Sequence, residues 1–177
     1  GKRTRTVAVE TVLADAGDVP VKRVSQQVKL QAGESKTVRQ RFAVRNPKLW
    51  SPDSPYLYRI QSRVKAGHEV LDGGVTRVGI RQAEFKGKDG FWLNGKPFGQ
   101  LVGANRHQDF AYVGNALPNS QQWRDAKRLR DAGCTIIRVA HYPQDPAFMD
   151  ACDEMGLFVI VATPGWQYWN KNPEFAK

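Results

Sequence analysis

The stretch Arg138-Val139-Ala140-His141-Tyr142-Pro143 puts a permanent cation and an imidazole at the end of an apolar run that breaks into a proline turn. That is unusual chemistry for the end of a buried strand. In a parallel α/β barrel, the C-terminal strand ends are where catalytic groups sit. A second imidazole and a carboxylate, His107 and Asp109, follow the short apolar run Leu101–Ala104. An aromatic cluster, Trp166, Tyr168 and Trp169, follows a third apolar run at Leu157–Val161. The remaining histidine, His68, lies in a turn between two alternating segments.

The elements that must position these groups follow from periodicity. Helical spacing over Gln121–Ala132 puts Trp123, Ala126 and Leu129 on one face. Asn119 and Ser120 are candidate N-caps, and Gly133 can supply the left-handed residue that ends the helix. A strand at Thr135–Ala140, a helix at Pro146–Met155 ended by Gly156, and a strand at Leu157–Val161 complete a β-α-β-α-β series. Apolar strands separated by helices imply a parallel sheet buried on both faces.

Residues 1–81 read differently. Apolar residues alternate in four rows: Val7 and Val9; Val24, Gln26, Val28 and Leu30; Val38, Gln40, Phe42 and Val44; Tyr56, Tyr58, Ile60 and Val64. Period 2 with β-branched and aromatic residues marks strands half-buried in a sheet. Turn residues separate the rows at Asp15–Pro20, Ala32–Glu34, Asn46–Pro55, Lys65–Gly67 and Asp72–Gly74. Short strands at this spacing predict a β-sandwich. Between the two regions, Asn94-Gly95 joins Phe91–Leu93 to Lys96–Phe98, the dipeptide that tolerates a type I′ hairpin turn.

The 177 residues, 41% hydrophobic and 25% charged, suffice for one large domain or two small ones with packed cores. No stretch approaches the roughly 20 apolar residues of a membrane helix, and Gly1–Arg5 has no apolar stretch behind it that would make a signal peptide. Two cysteines, Cys134 and Cys152, make neither a disulfide scaffold nor a zinc ribbon and read as buried small hydrophobes. The net charge of +10 arises entirely in residues 1–100, which hold 19 Lys/Arg against 9 Asp/Glu. It is spread as single residues along the strands (Lys29, Arg39, Arg41, Arg59, Arg63), the pattern of a solvated sheet face rather than a nucleic-acid patch.

The motif around Arg138 extends further. Phe148-Met149 supplies an apolar pair, Asp153 an acidic residue, and Gly156 precedes Leu157-Phe158-Val159-Ile160. Together these resemble the first signature of glycoside hydrolase family 2, the β-galactosidase and β-glucuronidase family. Thr135 stands where that pattern usually has Asn, and Val139 where it has a small residue. Asn46–Pro52 with Pro55–Tyr58 looks like the Trp-containing turn of the family's immunoglobulin-like domain, with Trp50 a packing residue. Gly103–Asp109 looks like the segment after its first barrel strand.

The resemblance implies a fold of β plus α/β class, an immunoglobulin-like β-sandwich followed by the first three strands of a truncated TIM barrel. The sandwich domain would span 1–81, incomplete at its start, with a linking strand and hairpin over 82–100 and the start of the catalytic barrel over 101–177. It implies a retaining glycosidase for β-galactosides or related β-glycosides. Asn105, His107, Asp109, His141 and Trp166 would bind substrate, and Arg138 would hold the nucleophilic Glu ionised. The two catalytic Glu residues of the family follow the fourth and seventh barrel strands, beyond these three, so the chain alone is expected to be inactive. No cofactor and no metal are expected: Val161–Gly165 lacks the carboxylates that help some members bind Mg²⁺. The implied partners are a carbohydrate substrate, the rest of the barrel and an N-terminal sugar-binding domain, with no nucleic acid and no membrane. Periplasmic or secreted placement follows from the resemblance alone; oligomeric state, sugar and linkage do not follow at all.

Each residue also has a structural alternative. Arg138 could neutralise a carboxylate, Asp109 could cap a helix, and Trp166, Tyr168 and Trp169 could pack a loop instead of stacking on a sugar ring. The corresponding rival function is a non-catalytic carbohydrate-binding or adhesive β-sandwich module.

Overall fold

A computed structural model describes residues 3–162 and Glu174. The chain divides into two compact units. The first takes the residues up to Trp50 together with Tyr56–Ile80; the second takes Ser51–Pro55 and the residues from Arg81 onward.

In the first unit, β1 (Arg5–Ala14), β2 (Pro20–Leu30), β3 (Tyr58–Ala66) and β4 (Glu69–Val78) form an antiparallel sheet in the order β2-β1-β3-β4. The register pairs Val7 with Val28, and Val9 with Val64, so the alternating apolar residues share one face. Val7, Leu13 and Tyr58 are buried, and Trp50 is 1% exposed. Trp50 donates its backbone N–H to Ile80 O at 2.8 Å. Its ring lies where any Cβ on Gly79 would come within 2.8 Å, so only glycine fits there. Trp50 is thus a packing residue, as the sequence indicates.

Two sequence expectations fail in this sheet. Residues 38–44 keep the alternation, with Val38, Gln40, Phe42 and Val44 half-buried between exposed neighbours, yet they form no strand. The Gln40 side chain does the bonding instead: Nε2 donates to Val9 O at 2.9 Å, and Oε1 accepts from Thr11 Oγ1 at 2.7 Å. Alternation reports which side chains turn inward, not whether the backbone pairs. Asp72-Gly73-Gly74 is not a turn but the interior of β4; the turn falls at Gly67-His68. Gly73 lies so close to β3 that a Cβ would sit 2.9 Å from Ser62 O, the close backbone approach that places glycine inside a strand.

The second unit begins with a small antiparallel sheet, β5 (Ala83–Phe85), β6 (Phe91–Leu93) and β7 (Lys96–Pro97). Asn94 and Gly95 turn β6 into β7 with φ of 53° and 79°, the positive pair that a type I′ turn requires. Then β8 (Gly103–Arg106), α1 (Asn119–Asp131), β9 (Ile136–Val139), α2 (Pro146–Met155) and β10 (Phe158–Val161) form a parallel sheet in the order β10-β9-β8 with two helices. The first strand starts two residues later than the apolar run suggests. Phe91 and Phe98 meet Phe158 edge-on, with centroids 5.3 and 5.4 Å apart, so aromatic rings cover the start of β10.

Ile137 and Val139 pack with Ala126, Phe148, Ala151, Cys152 and Leu157, and Trp123 and Leu129 flank that core. Full burial of Phe148 is worth about 1.5–3 kcal/mol by apolar area. Cys152 lies in this core, where burial pushes its thiol up to about 12. The helices cover only one face of the sheet among the described residues. The other face leaves Ile160 51% exposed, so the expectation of a sheet buried on both sides does not hold here.

The helix ends also differ from expectation. Asn119 and Ser120 do not cap α1; they are its first two residues, and Pro118 occupies the cap position with no side-chain bond. Its fixed φ of −68° sets the entry that a capping side chain would otherwise set. In α2, the unforeseen Asp145 caps, accepting from Ala147 N at 2.8 Å, and Gly156 ends the helix at φ 75°. Among the described residues no helix is long and apolar enough to cross a membrane.

Candidate active site

Parallel pairing sets two strand ends level. Asn105 lies opposite Arg138, and Arg106 opposite Val139. Ala140 N extends the ladder by one bond to Arg106 O at 2.9 Å. The chain therefore leaves β8 at His107 and β9 at His141 on the same rim. Their imidazole centroids lie 5.4 Å apart, with the planes at 76°.

Strand alternation then sorts the neighbours. Asn105 and Arg138 point to the face without helices, where Arg138 Nη1 donates to Asn105 Oδ1 at 3.4 Å. Arg138 Nη2 lies 3.2 Å from His141 Nδ1. A guanidinium has only donors, so Nδ1 accepts this bond, which leaves the ring proton on Nε2. With Ile136, Ile160, Gly103 and Ala104, Asn105 and Arg138 line a depression of about 260 Å³. Asp109 is exposed on the loop two residues past His107. The structure thus brings Asn105, His107, Arg138 and His141 together and puts Asp109 on the same loop. Trp166 lies outside the described residues, as do Tyr168 and Trp169.

On the opposite, helix-facing side, the structure adds residues that the sequence reading missed. Arg106 is only 6% exposed, and an unpaired cation there would be costly. Its Nη2 donates to Asp125 Oδ2 and to Gln122 Oε1, both at 2.8 Å, and its Nη1 donates to Gln144 Oε1 at 2.5 Å. The guanidinium also lies 3.9 Å over the Phe148 ring. Turning Gln122 Oε1 toward Arg106 leaves its buried Nε2 without a partner, which costs about 1–3 kcal/mol.

Gln144 closes the arrangement. Its Nε2 donates to Arg106 O at 2.7 Å while its Oε1 accepts from the same residue's side chain. A second glutamine works alongside: Gln108 N donates to Tyr142 Oη at 3.1 Å, and Gln108 Oε1 accepts from Asp145 N at 2.8 Å. These four bonds join the loop that carries His107 to the loop that carries His141. The signal in the sequence is Arg106 itself: alternation from Asn105 turns it toward the helices, and buried arginine demands acceptors. We expect Gln144→Leu, which removes both of its bonds, to lower stability by about 1–3 kcal/mol and to abolish the nuclear Overhauser contact between the two imidazoles. Asp125→Asn should lower stability while keeping that contact. Retention of the contact in Gln144→Leu would show that the loops do not need the glutamine.

Among the described residues no three His, Cys, Asp or Glu side chains are grouped as metal ligands. Acidic groups on this unit are mostly engaged elsewhere: Asp125 with Arg106, Asp131 with Lys127, Asp145 with the start of α2.

Comparison with known proteins decides the family. The chain matches glycosyl hydrolases family 2 over residues 1–81 and the TIM barrel domain of the same family over residues 84–173. The chain belongs to glycosyl hydrolases family 2. Its fold is accordingly an immunoglobulin-like sandwich domain followed by the start of a TIM barrel. A β-galactosidase of Thermoanaerobacter pseudethanolicus is 43% identical over 134 residues, covering 75% of this chain and 18% of that protein. A β-glucuronidase of Bacteroides fragilis is 30% identical over 154 residues, covering 86% of this chain and 22% of that protein. The crystal structure of a family 2 member from Bacteroides cellulosilyticus superposes with a TM-score of 0.87 at 34% identity, covering 92% of this chain and 22% of that one. The family 2 chain thus spans about a fifth of the length of these relatives.

Proposed function

We propose that this chain is part of a retaining glycoside hydrolase acting on β-galactosides or related β-glycosides. The observation that carries the reading is the rim cluster of Asn105, His107, Arg138 and His141 at the ends of two consecutive parallel strands. Similarity to a β-galactosidase and a β-glucuronidase supports the substrate class.

In this reading His107, Asp109 and His141 take sugar hydroxyls, with His141 Nε2–H donating. Asn105 orients Arg138, and Trp166 offers its ring face to the sugar. Retention needs two carboxyl groups about 5–5.5 Å apart, one as nucleophile and one as acid/base. Arg138 places a fixed positive charge beside the nucleophile and keeps it ionised. The pair itself is contributed by other strands of the full-length protein.

The test is hydrolysis of p-nitrophenyl β-galactoside, β-glucuronide and β-mannoside by the full-length protein, with the product anomer followed by NMR. Turnover of the galactoside or glucuronide with β-configured first product is expected. An α-configured first product, or sugar binding without turnover of any of the three, would overturn the reading.

A further inference from the structure

The basic excess of the first unit is not spread evenly over the sheet. Register places Arg23 opposite Val12, Glu10 opposite Arg63 and Ala8 opposite Lys65, with Val12 also opposite Gln61. These residues, with Lys29 and Arg59, therefore share the face turned away from the apolar rows. Arg77, opposite Arg59, joins them, so six cations stand there against one strand carboxylate, Glu10, and one turn carboxylate, Asp18. Lys65 pairs with Glu10 at 2.8 Å, and Arg59 pairs with Asp18.

Among the described residues, the side chains of Arg23 and Arg63 form no hydrogen bond or ion pair. Both nevertheless face the same carboxylate. Glu10 is held below the usual carboxylate range by its Lys65 hydrogen bond, and the charges of Lys65, Arg23 and Arg63 add to this. A carboxylate already satisfied by Lys65 thus sits between two guanidinium groups that have no partner of their own.

The surface here is concave. Glu10, Val12, Arg23, Gln61 and Arg63 line one depression. Gln61 and Arg63 continue into a groove of about 620 Å³ over Gly73 and Gly74, walled by Arg59, Val70, Val75 and the carboxylate Asp18, with which Arg59 pairs. The paired glycines leave its floor without side chains, and Val70 and Val75 are 53% and 64% exposed. Guanidinium forks, an amide and apolar patches in one groove match a ring that carries a carboxylate or sulfate along with C–H faces. None of the residues lining either depression is aromatic, so the groove offers no stacking platform for nucleic-acid bases.

We infer that this face of the sandwich sheet is a binding groove for an acidic polysaccharide, with Arg23 and Arg63 gripping its carboxylate or sulfate groups. The choice of a polysaccharide rests on the proposed function; the anion site rests on the groove alone.

The probes are oligomers of polygalacturonate, dextran sulfate and neutral dextran, titrated against the 177-residue chain by calorimetry at two salt concentrations. Arg23→Gln/Arg63→Gln is compared with Arg39→Gln/Arg41→Gln, which removes the same charge from exposed positions on the other side of the sheet. All four side chains are exposed, and far-UV circular dichroism verifies the fold. The groove variant should lose at least tenfold in affinity and flatten the salt dependence. The control should lose less than twofold, and neutral dextran should not bind. Polygalacturonate binding alone would assign carboxylate, dextran sulfate alone would assign sulfate, and either supports the groove. Equal losses in both variants would reduce the effect to net charge and overturn the inference. Tighter binding of single-stranded DNA, lost in the groove variant, would overturn the polysaccharide and replace it with nucleic acid. Failure of the full-length protein to cleave glycosides would remove the proposed function while leaving this titration to stand by itself.

Discussion

Arg138→Ala in the full-length protein is expected to lower kcat/KM by about 10²-fold. Arg138 reaches Asn105 with one nitrogen and His141 Nδ1 with the other, so its removal disturbs two rim residues as well as the charge that the proposed function sets beside the nucleophile. A hydrogen bond to a charged group is worth about 1.5–3 kcal/mol, and each 1.36 kcal/mol is about tenfold in rate. If the charge matters chiefly as bonding forms, kcat falls together with kcat/KM. Arg138→Lys should recover little, because a single ammonium cannot span the two partners at once. A loss below threefold in the alanine variant would demote Arg138 to a packing role.

The 177-residue chain by itself is expected to show no turnover of aryl β-galactosides. Retaining chemistry requires two carboxyl groups, and the strand ends described here bring one to the rim, Asp109. Asp125 is bound to Arg106 on the helix side, Asp145 caps α2, and Asp150, Asp153 and Glu154 lie along α2. The measurement is p-nitrophenol release by chain purified from a host without its own β-galactosidase. Turnover above the buffer rate would mean that the catalytic carboxylates lie among these residues after all.

The parts legible in the sequence were those fixed by local physics. Asn94-Gly95 set its hairpin because few other dipeptides accept two positive φ angles. The limits of α2 followed from a proline at its first position and a glycine just past its last. The rim residues were legible because Arg138 and His141 stand three apart at a strand end, where nothing in the core needs them. Features that depend on distant partners were not legible. Residues 38–44 alternate like a strand, but pairing needs a neighbour, and Gln40 supplies side-chain bonds in its place. Asp72–Gly74 has turn composition, yet β3 continues beside it and the close approach to Ser62 makes glycine a strand residue. The Arg106–Gln144 and Gln108–Asp145 links join residues 38 and 37 positions apart. No local pattern announces them, although a buried arginine implies that acceptors exist.

A crystal structure of the full-length protein with a bound β-galactoside analogue decides whether the rim of β8 and β9 holds the sugar. Hydroxyl oxygens are expected within hydrogen-bond distance, about 2.6–3.2 Å, of His107, Asp109 and His141, with a glutamate of the same protein beside Arg138. A sugar bound away from both histidines, with the rim of β8 and β9 facing only solvent or protein, would contradict the proposed site.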